Sequence, residues 1–352
     1  MSKKDKSVRV KVIANPGAGV ASNTDNHLKL VTDYLTAKNL KVDVAFAKPK
    51  EEATAIAKRA VKNGYKVVIA MGGDGTVEAV MRGMVGGKAR MGIIPTGTEN
   101  NIAKSLGIPT DLEEACALVV TDNTLKLDLG QVTTRKGKKF VFFEMATIGL
   151  SAAIYPDANK VMNGKLSSLK ATAMTFIHHE TRPSFFLTLD DESKIEVETM
   201  LMVVSNTPTF GRNFDVAPDA SFQDGLLDIS VYPDFSKAEL LRYYAEVMDG
   251  GYSGDGKVQR YQARKLKIKT SPRLDVMADG VALGKGQVTI KVRPGALRVI
   301  TVGKSSSLEN TPTDEAVSVS AEQPKSKQKI QPTPVSQPVE TNHRESSLIS
   351  QE

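Results

Sequence analysis

The feature that most constrains this chain is Met71-Gly72-Gly73-Asp74-Gly75-Thr76, set between the apolar run Val67 to Met71 and the helical pattern Val77/Val80/Met81/Met84. A strand that runs through closely spaced glycines into a helix must turn sharply, and glycine lets the N–H groups of that turn face inward and approach an anion. The helix N-terminus adds its positive dipole end. A tight turn of glycine alone would need neither Asp74 nor Thr76 at its centre, so the loop reads as a phosphate cradle. Two further glycine-bearing junctions stand at comparable places: Asn15-Pro16-Gly17-Ala18-Gly19 after Val8 to Ala14, and Pro95-Thr96-Gly97-Thr98-Glu99-Asn100-Asn101 after Gly92 to Ile94. In a parallel sheet such loops share the carboxyl edge where ligands bind, and three of them together imply a polyphosphate.

Around these loops the runs Val8 to Ala14, Val42 to Ala47, Val67 to Met71 and Gly92 to Ile94 alternate with helical patterns such as Leu28/Val31/Leu35 and Ala53/Ile56/Ala57/Ala60/Val61. The alternation predicts an α/β fold whose N-terminal domain, residues 1–130, is a doubly wound parallel sheet. Thr110 with Glu113 reads as a capping box. Beyond Asn123 the period falls to two, as in Leu125/Leu127/Leu129 and Val288/Ile290/Val292, with Asp190-Asp191 and Pro294-Gly295 as turn signals. This predicts a C-terminal antiparallel β-sandwich domain over 131–303, its last strand returning to the first domain, interrupted by helical stretches near Asn163 to His178 and Ser236 to Met248. Residues 304–352 turn to Ser, Pro, Gln, Glu and Lys with no aromatic, the composition of a disordered tail.

Charge narrows the partners. The chain carries a formal +7, residues 305–352 hold −3 of it, and +10 remains on the rest. Trp is absent and aromatics are 5%, so base stacking has little to use and nucleic acid is excluded as the partner. No apolar window is long enough for a transmembrane segment, the N-terminus is polar, and the one cysteine, Cys116, falls in an apolar helical pattern, all of which predicts a cytoplasmic protein with a buried thiol. The basic stretch Lys257 to Arg273 reads equally as a solvated strand face or as a surface docking to anionic lipid headgroups. His178 and His179 are neighbours that cannot share a helix face, which argues against a metal site there. Met162 to Phe176 reads as a core-facing stripe before it reads as a lid.

In their order and spacing the three glycine loops resemble the diacylglycerol kinase catalytic domain of the bacterial lipid kinases, a family that includes sphingosine and ceramide kinases. The resemblance continues through Leu127-Asp128-Leu129-Gly130, Asp224-Gly225-Leu226-Leu227-Asp228 and Asp279-Gly280, and so covers Val8 to about Val302. The Gly-Gly-Asp-Gly-Thr loop is shared with NAD kinases; the Pro-Thr-Gly-Thr-x-Asn loop and the late Asp-Gly-Leu-Leu-Asp narrow the likeness to lipid kinases. It implies ATP in a cleft between the two domains and transfer of its γ-phosphoryl to a lipid hydroxyl of the diacylglycerol, phosphatidylglycerol or sphingoid-base class, at an anionic membrane surface. It implies that Gly72, Gly73, Asp74, Gly75 and Thr76 cradle the phosphates, with Asn15, Thr96, Gly97 and Thr98 adding contacts. Asp74 and Asp128 would belong to the acidic network that organises Mg²⁺ through water, and Ser221, Asp224 and Leu226 to a second, structural Mg²⁺ site. Asp279 stands where the family places its general base or that base's neighbour.

Four departures from the family pattern bear on this. Val281 replaces a Glu that one reading makes the base, Asn101 replaces an Asp of the magnesium network, Ala47 replaces an ATP-contacting Thr, and Ser221 replaces a Leu used only through its carbonyl. Two alternatives stay open: an NAD-kinase-like enzyme with a soluble acceptor, and a catalytically weak nucleotide- or lipid-binding member of the fold.

Overall fold

The computed structural model describes residues 8–16, 24–47, 50–153, 169–178, 182–210, 214–248 and 256–302. The tail expected at 304–352, the glycines Gly17 and Gly19 and the first part of the Met162 to Phe176 stripe lie outside the described residues.

The first part alternates strand and helix as its apolar pattern dictates: β1 (Arg9–Ala14), α1 (Thr24–Ala37), β2 (Lys41–Phe46), α2 (Lys50–Lys62), β3 (Val67–Gly72), α3 (Asp74–Met84), β4 (Arg90–Pro95), and the short α4 (Asn101–Ser105) and α5 (Leu112–Val119). The four strands pair in parallel in the order β2-β1-β3-β4. Every residue of β3 is buried, because helices cover both faces of the sheet, and so the strand reads as an unbroken apolar run. Full burial of an Ile69 or Ile94 side chain stabilises the fold by about 1.5–3 kcal/mol each. At α5 the cap is Asp111, whose carboxylate accepts from the N–H groups of Glu113 and Glu114 at 3.0 Å, rather than Thr110. Asp111 lies one residue closer to the first turn, where its short carboxylate meets both orphan donors.

The second part is antiparallel. It comprises β5 (Thr124–Thr134), β6 (Lys139–Phe142), β7 (Met145–Gly149), α6 (Leu169–His178), β8 (Ser184–Leu189), β9 (Ser193–Glu198), β10 (Leu201–Ser205), β11 (Thr209–Phe210), β12 (Phe214–Asp215), β13 (Leu227–Val231), α7 (Lys237–Met248), β14 (Gln259–Ala263), β15 (Lys265–Ser271), β16 (Asp275–Ala278), β17 (Val281–Lys285) and β18 (Val288–Ile300). The order β14-β13-β10-β7-β16-β17 forms one sheet. Its inner face packs on the β5, β6, β8, β15 and β18 layer through side chains including Ile148, Val204, Ile229, Leu266 and Ile290.

Strand β18 joins the two parts. Its end pairs in parallel with β4 (Arg298 with Arg90), its start pairs antiparallel with β15, and β5 runs along its other edge. Pro294-Gly295 is therefore not a turn between strands. It is a bulge inside one long strand, where the register with β5 shifts between Arg293 and Leu297 and the extra residues stay unpaired.

Candidate functional site

In the order β2-β1-β3-β4 the chain reverses its direction of winding between β1 and β3, the place at the carboxyl ends of parallel strands where ligands generally bind. Asn15, the residue after β1, sits at this point: its N–H donates to the Met71 carbonyl at 3.2 Å and its Nδ2 to Thr76 Oγ1 at 3.3 Å. A Cβ on Gly72 would lie 2.6 Å from Thr76 Oγ1, so only glycine fits. The loops after β3 and β4 press together backbone to backbone. A Cβ on Gly97 would stand 2.4 Å from the Gly73 Cα, and the Thr96 N–H donates to the Gly72 carbonyl at 3.1 Å. Helical bonding of α3 starts from the Gly73 carbonyl, which accepts from Thr76 and Val77. The N–H groups of Asp74 and Gly75 then have no intrahelical partner, as is general at a helix start, and are free to meet an anion.

The carboxylate of Asp74 accepts the Ile102 N–H at 2.9 Å and so fastens α4 to α3. Asn100, at φ 53°, closes the loop after β4: its Oδ1 accepts from the Gly97 N–H at 3.0 Å and its Nδ2 donates to the Gly97 carbonyl at 2.9 Å. Asn15, the Gly72 to Thr76 run, Thr96 and Gly97 are thus one contiguous edge, and Thr98 is exposed beside them. Asn100 is the Asn of the Pro-Thr-Gly-Thr-x-Asn motif, and its bonds to Gly97 show that it shapes the loop.

Asp128, in the middle of β5 and 4% exposed, is engaged on both oxygens. Its Oδ2 accepts the Gly225 N–H and its Oδ1 the Gly295 N–H, each at 2.7 Å, so it ties the 221–226 loop to the β18 bulge. In that loop Asp224 Oδ1 accepts the Leu226 N–H at 2.9 Å and Ser221 Oγ accepts from Gln223 at 3.2 Å. Burial pushes the neighbouring Asp228 carboxyl above its ordinary value, against a hydrogen bond from Gln262, and the negative field of Asp224 and Asp219 adds to the rise. Among the described residues no three acidic, His or Cys side chains converge on a metal position. A cation here would depend on backbone carbonyls and one exposed carboxylate, an all-oxygen set in a negative field, which suits a hard ion such as Mg²⁺.

Asp279 and Gly280 form the two-residue turn between β16 and β17, with φ of 39° and 67° and Ala278 paired with Val281. Both positive angles belong to a type I′ hairpin turn, for which Asp-Gly is a preferred pair. The turn aims the Asp279 carboxylate at the β6–β7 connection: Oδ2 accepts the Phe143 N–H at 2.7 Å, and Oδ1 accepts those of Glu144 and Met145 at 3.1 and 3.3 Å. An ionised carboxylate offers about four acceptor positions. Three are used, and the remaining one is on Oδ2. Burial raises the Asp279 carboxyl above its ordinary value, while the Arg82 guanidinium and the three N–H groups pull it back down.

One residue absent from the motif reading bridges the backbone segments beside these two carboxylates. Asn206, with no exposed surface, donates from Nδ2 to the carbonyls of both Asp128 (3.0 Å) and Phe143 (2.8 Å). Elsewhere, Lys265 and Lys267 of the basic stretch both pair with Asp191, at 2.6 and 2.7 Å, on the exposed face of β15. Cys116 is buried, which pushes its thiol up to about 11. No described helix is long and apolar enough to cross a membrane.

Set beside known proteins, residues 9–132 match the diacylglycerol kinase catalytic domain and residues 131–301 the YegS C-terminal NAD kinase beta sandwich-like domain. The chain belongs to the diacylglycerol kinase and YegS-like lipid kinase family. It is 30% identical to a diacylglycerol kinase of Mycobacterium tuberculosis over 68% of this chain and 78% of that one. It is 31% identical to a Pseudomonas aeruginosa protein named "Probable lipid kinase YegS-like", over 75% of this chain and 86% of the relative. In three dimensions it resembles a diacylglycerol kinase crystal structure from Bacillus anthracis, with a TM-score of 0.65, 22% identity and coverage of 84% of this chain and 97% of that one.

Proposed function

We propose that the protein is an ATP- and Mg²⁺-dependent lipid kinase that transfers the γ-phosphoryl of ATP to the hydroxyl of a diacylglycerol, phosphatidylglycerol or sphingoid-base lipid at an anionic membrane surface. The observation that carries this reading is the backbone contact of Gly73 with Gly97 beside the Asn15–Thr76 bond at the winding reversal. It leaves the N–H groups of Asp74 and Gly75 together at a helix start, where a phosphate is favoured. Asn15, Thr96 and Thr98 hold the polyphosphate from either side. The free acceptor position on Asp279 Oδ2 takes the proton of the lipid hydroxyl as its oxygen bonds to the γ-phosphorus and the bond to the bridging oxygen of ADP breaks. Mg²⁺ would be held through water by Asp74 and Asp128, with a structural ion on Ser221, Asp224 and Leu226, and when bound it neutralises phosphate charge.

Val281 favours the second reading, a catalytically weak member of the fold. It stands where the family often has a Glu, and the three N–H bonds to Asp279 also suit a purely structural turn. The experiment supplies γ-labelled ATP with diacylglycerol, phosphatidylglycerol, a sphingoid base or NAD, and then separates organic from aqueous label. Label in one of the lipids supports the kinase reading. Label only in NAD supports a soluble acceptor, and intact ATP binding with no transfer supports the weak member. A rise in turnover in Val281→Glu would show that the missing carboxylate limits the rate.

A further inference from the structure

Helix α3 carries more than the phosphate loop at its start. Glu78 and Arg82 stand four residues apart on it and pair at 2.7 Å, with side chains only 10% and 15% exposed. The guanidinium lies over the Phe140 ring, 4.7 Å from its centroid, which fixes its plane. Glu78, Arg82 and Asp279 line one cavity of about 10 Å³, walled otherwise by apolar side chains such as Leu129, Val141 and Phe142. That volume holds one water at most, so neither a phosphate nor a lipid headgroup reaches Arg82 through it, whereas Asp279 keeps 7% of its surface exposed. Arg82 Nε is buried with no hydrogen-bond partner. Nη1 and Nη2 both donate to Glu78, so the guanidinium is committed within the fold, and the carboxylate that shares its cavity is Asp279.

Among the described residues the charged groups around Asp279 are few. Helix α3 presents Arg82 and Glu78, and the β6–β7 connection presents Glu144, which meets Asp279 through its N–H. Along β16 the nearest is Asp275, paired with Lys285 of β17 at 3.1 Å. Strands β5 and β6 contribute only apolar side chains to the cavity. Arg82 is therefore the cation that opposes the burial of this carboxylate.

We propose that Arg82 is a positioning residue for Asp279: held by Glu78 and the Phe140 ring in the cavity that Asp279 also lines, its guanidinium favours the charged form of that carboxylate from the helix that begins with the phosphate loop. The inference rests on the reading of Asp279 as proton acceptor. It is tested by the pH dependence of kcat, measured with the panel lipid that takes the label, in Arg82→Met, Arg82→Lys and Glu78→Gln. Loss of a nearby opposite charge moves a carboxyl by about one pH unit or more. The acid limb is expected to rise by about that much in Arg82→Met, to return most of the way in Arg82→Lys, and to fall in Glu78→Gln, with KM for ATP changed less than about twofold, a split that simple loss of folding would not give. An acid limb in Arg82→Met that coincides with the unaltered protein, while Asp279→Asn is inactive, overturns the inference alone. Should Arg82→Met fail to fold, an unmoved limb in Glu78→Gln overturns it. Transfer undiminished in Asp279→Asn removes the base reading itself and is distinguished by that control.

Discussion

Gly73 and Gly97 meet backbone to backbone at the edge of the parallel sheet, whereas Asp279 is a buried carboxylate held by three N–H groups at the tip of an antiparallel hairpin. The first region owes its shape to absent side chains: no Cβ could be added at Gly97 without striking the Gly73 Cα. Its positive character comes from backbone dipoles, which do not titrate. The second region depends on one charged side chain whose ionisation is set by burial and by Arg82. The account therefore assigns phosphate binding to a pH-insensitive edge and the proton to a pH-sensitive turn, and these can be perturbed separately.

The sharpest break is Asp279→Asn. General base catalysis contributes about 10²- to 10⁴-fold, so kcat for phosphate transfer falls by at least about 10²-fold, read from initial rates with labelled ATP. In the unaltered protein kcat also drops as pH falls through the Asp279 value, because only the charged form accepts a proton, and that limb lies above the ordinary carboxylate range. Gly97→Ala disturbs the other region. The methyl group overpacks the two loops and lowers stability by about 1–3 kcal/mol, measured by denaturant unfolding.

Asn206→Ala tests what joins the two backbone segments beside these carboxylates, since it strands the carbonyls of Asp128 and Phe143 in the interior. The expected loss of stability is about 1–3 kcal/mol in the same unfolding experiment, with no shift in the acid limb. The smallest effect lies far from both regions, at the start of α7. There Ser236 and Glu239 cap each other's N–H groups, and hydrogen bonds from Lys257 and then Ser236 hold the Glu239 carboxyl down to about 2. A carboxyl depressed in the folded state stabilises above its unfolded value. The contribution is lost as pH falls toward about 2, so Glu239→Gln flattens the acid side of the melting-temperature profile slightly.

What the sequence disclosed follows the reach of each interaction. The parallel half was legible because β3 is apolar throughout and its loop is local, with Gly72 answering to Thr76 four residues on. Asp279-Gly280 was read as a family motif, although its residue types also announce a type I′ turn between two short strands. The partners of Asp128, at Gly225 and Gly295, lie 97 and 167 residues away, and nothing in local periodicity reports such a bond. Asn206 follows an apolar strand with no motif of its own, so only packing reveals it. The i,i+4 spacing of Glu78 and Arg82 was visible, but surface pairs share that spacing and burial alone gives it meaning.

The division between a binding edge and a proton-accepting turn is tested most directly by titrating ATP with Mg²⁺ into Gly97→Ala and Asp279→Asn side by side, under conditions where both are folded. The account predicts that Asp279→Asn binds ATP with the Kd of the unaltered protein, while Gly97→Ala binds at least about tenfold more weakly. Equal weakening in both, or full-strength binding in Gly97→Ala, would contradict it.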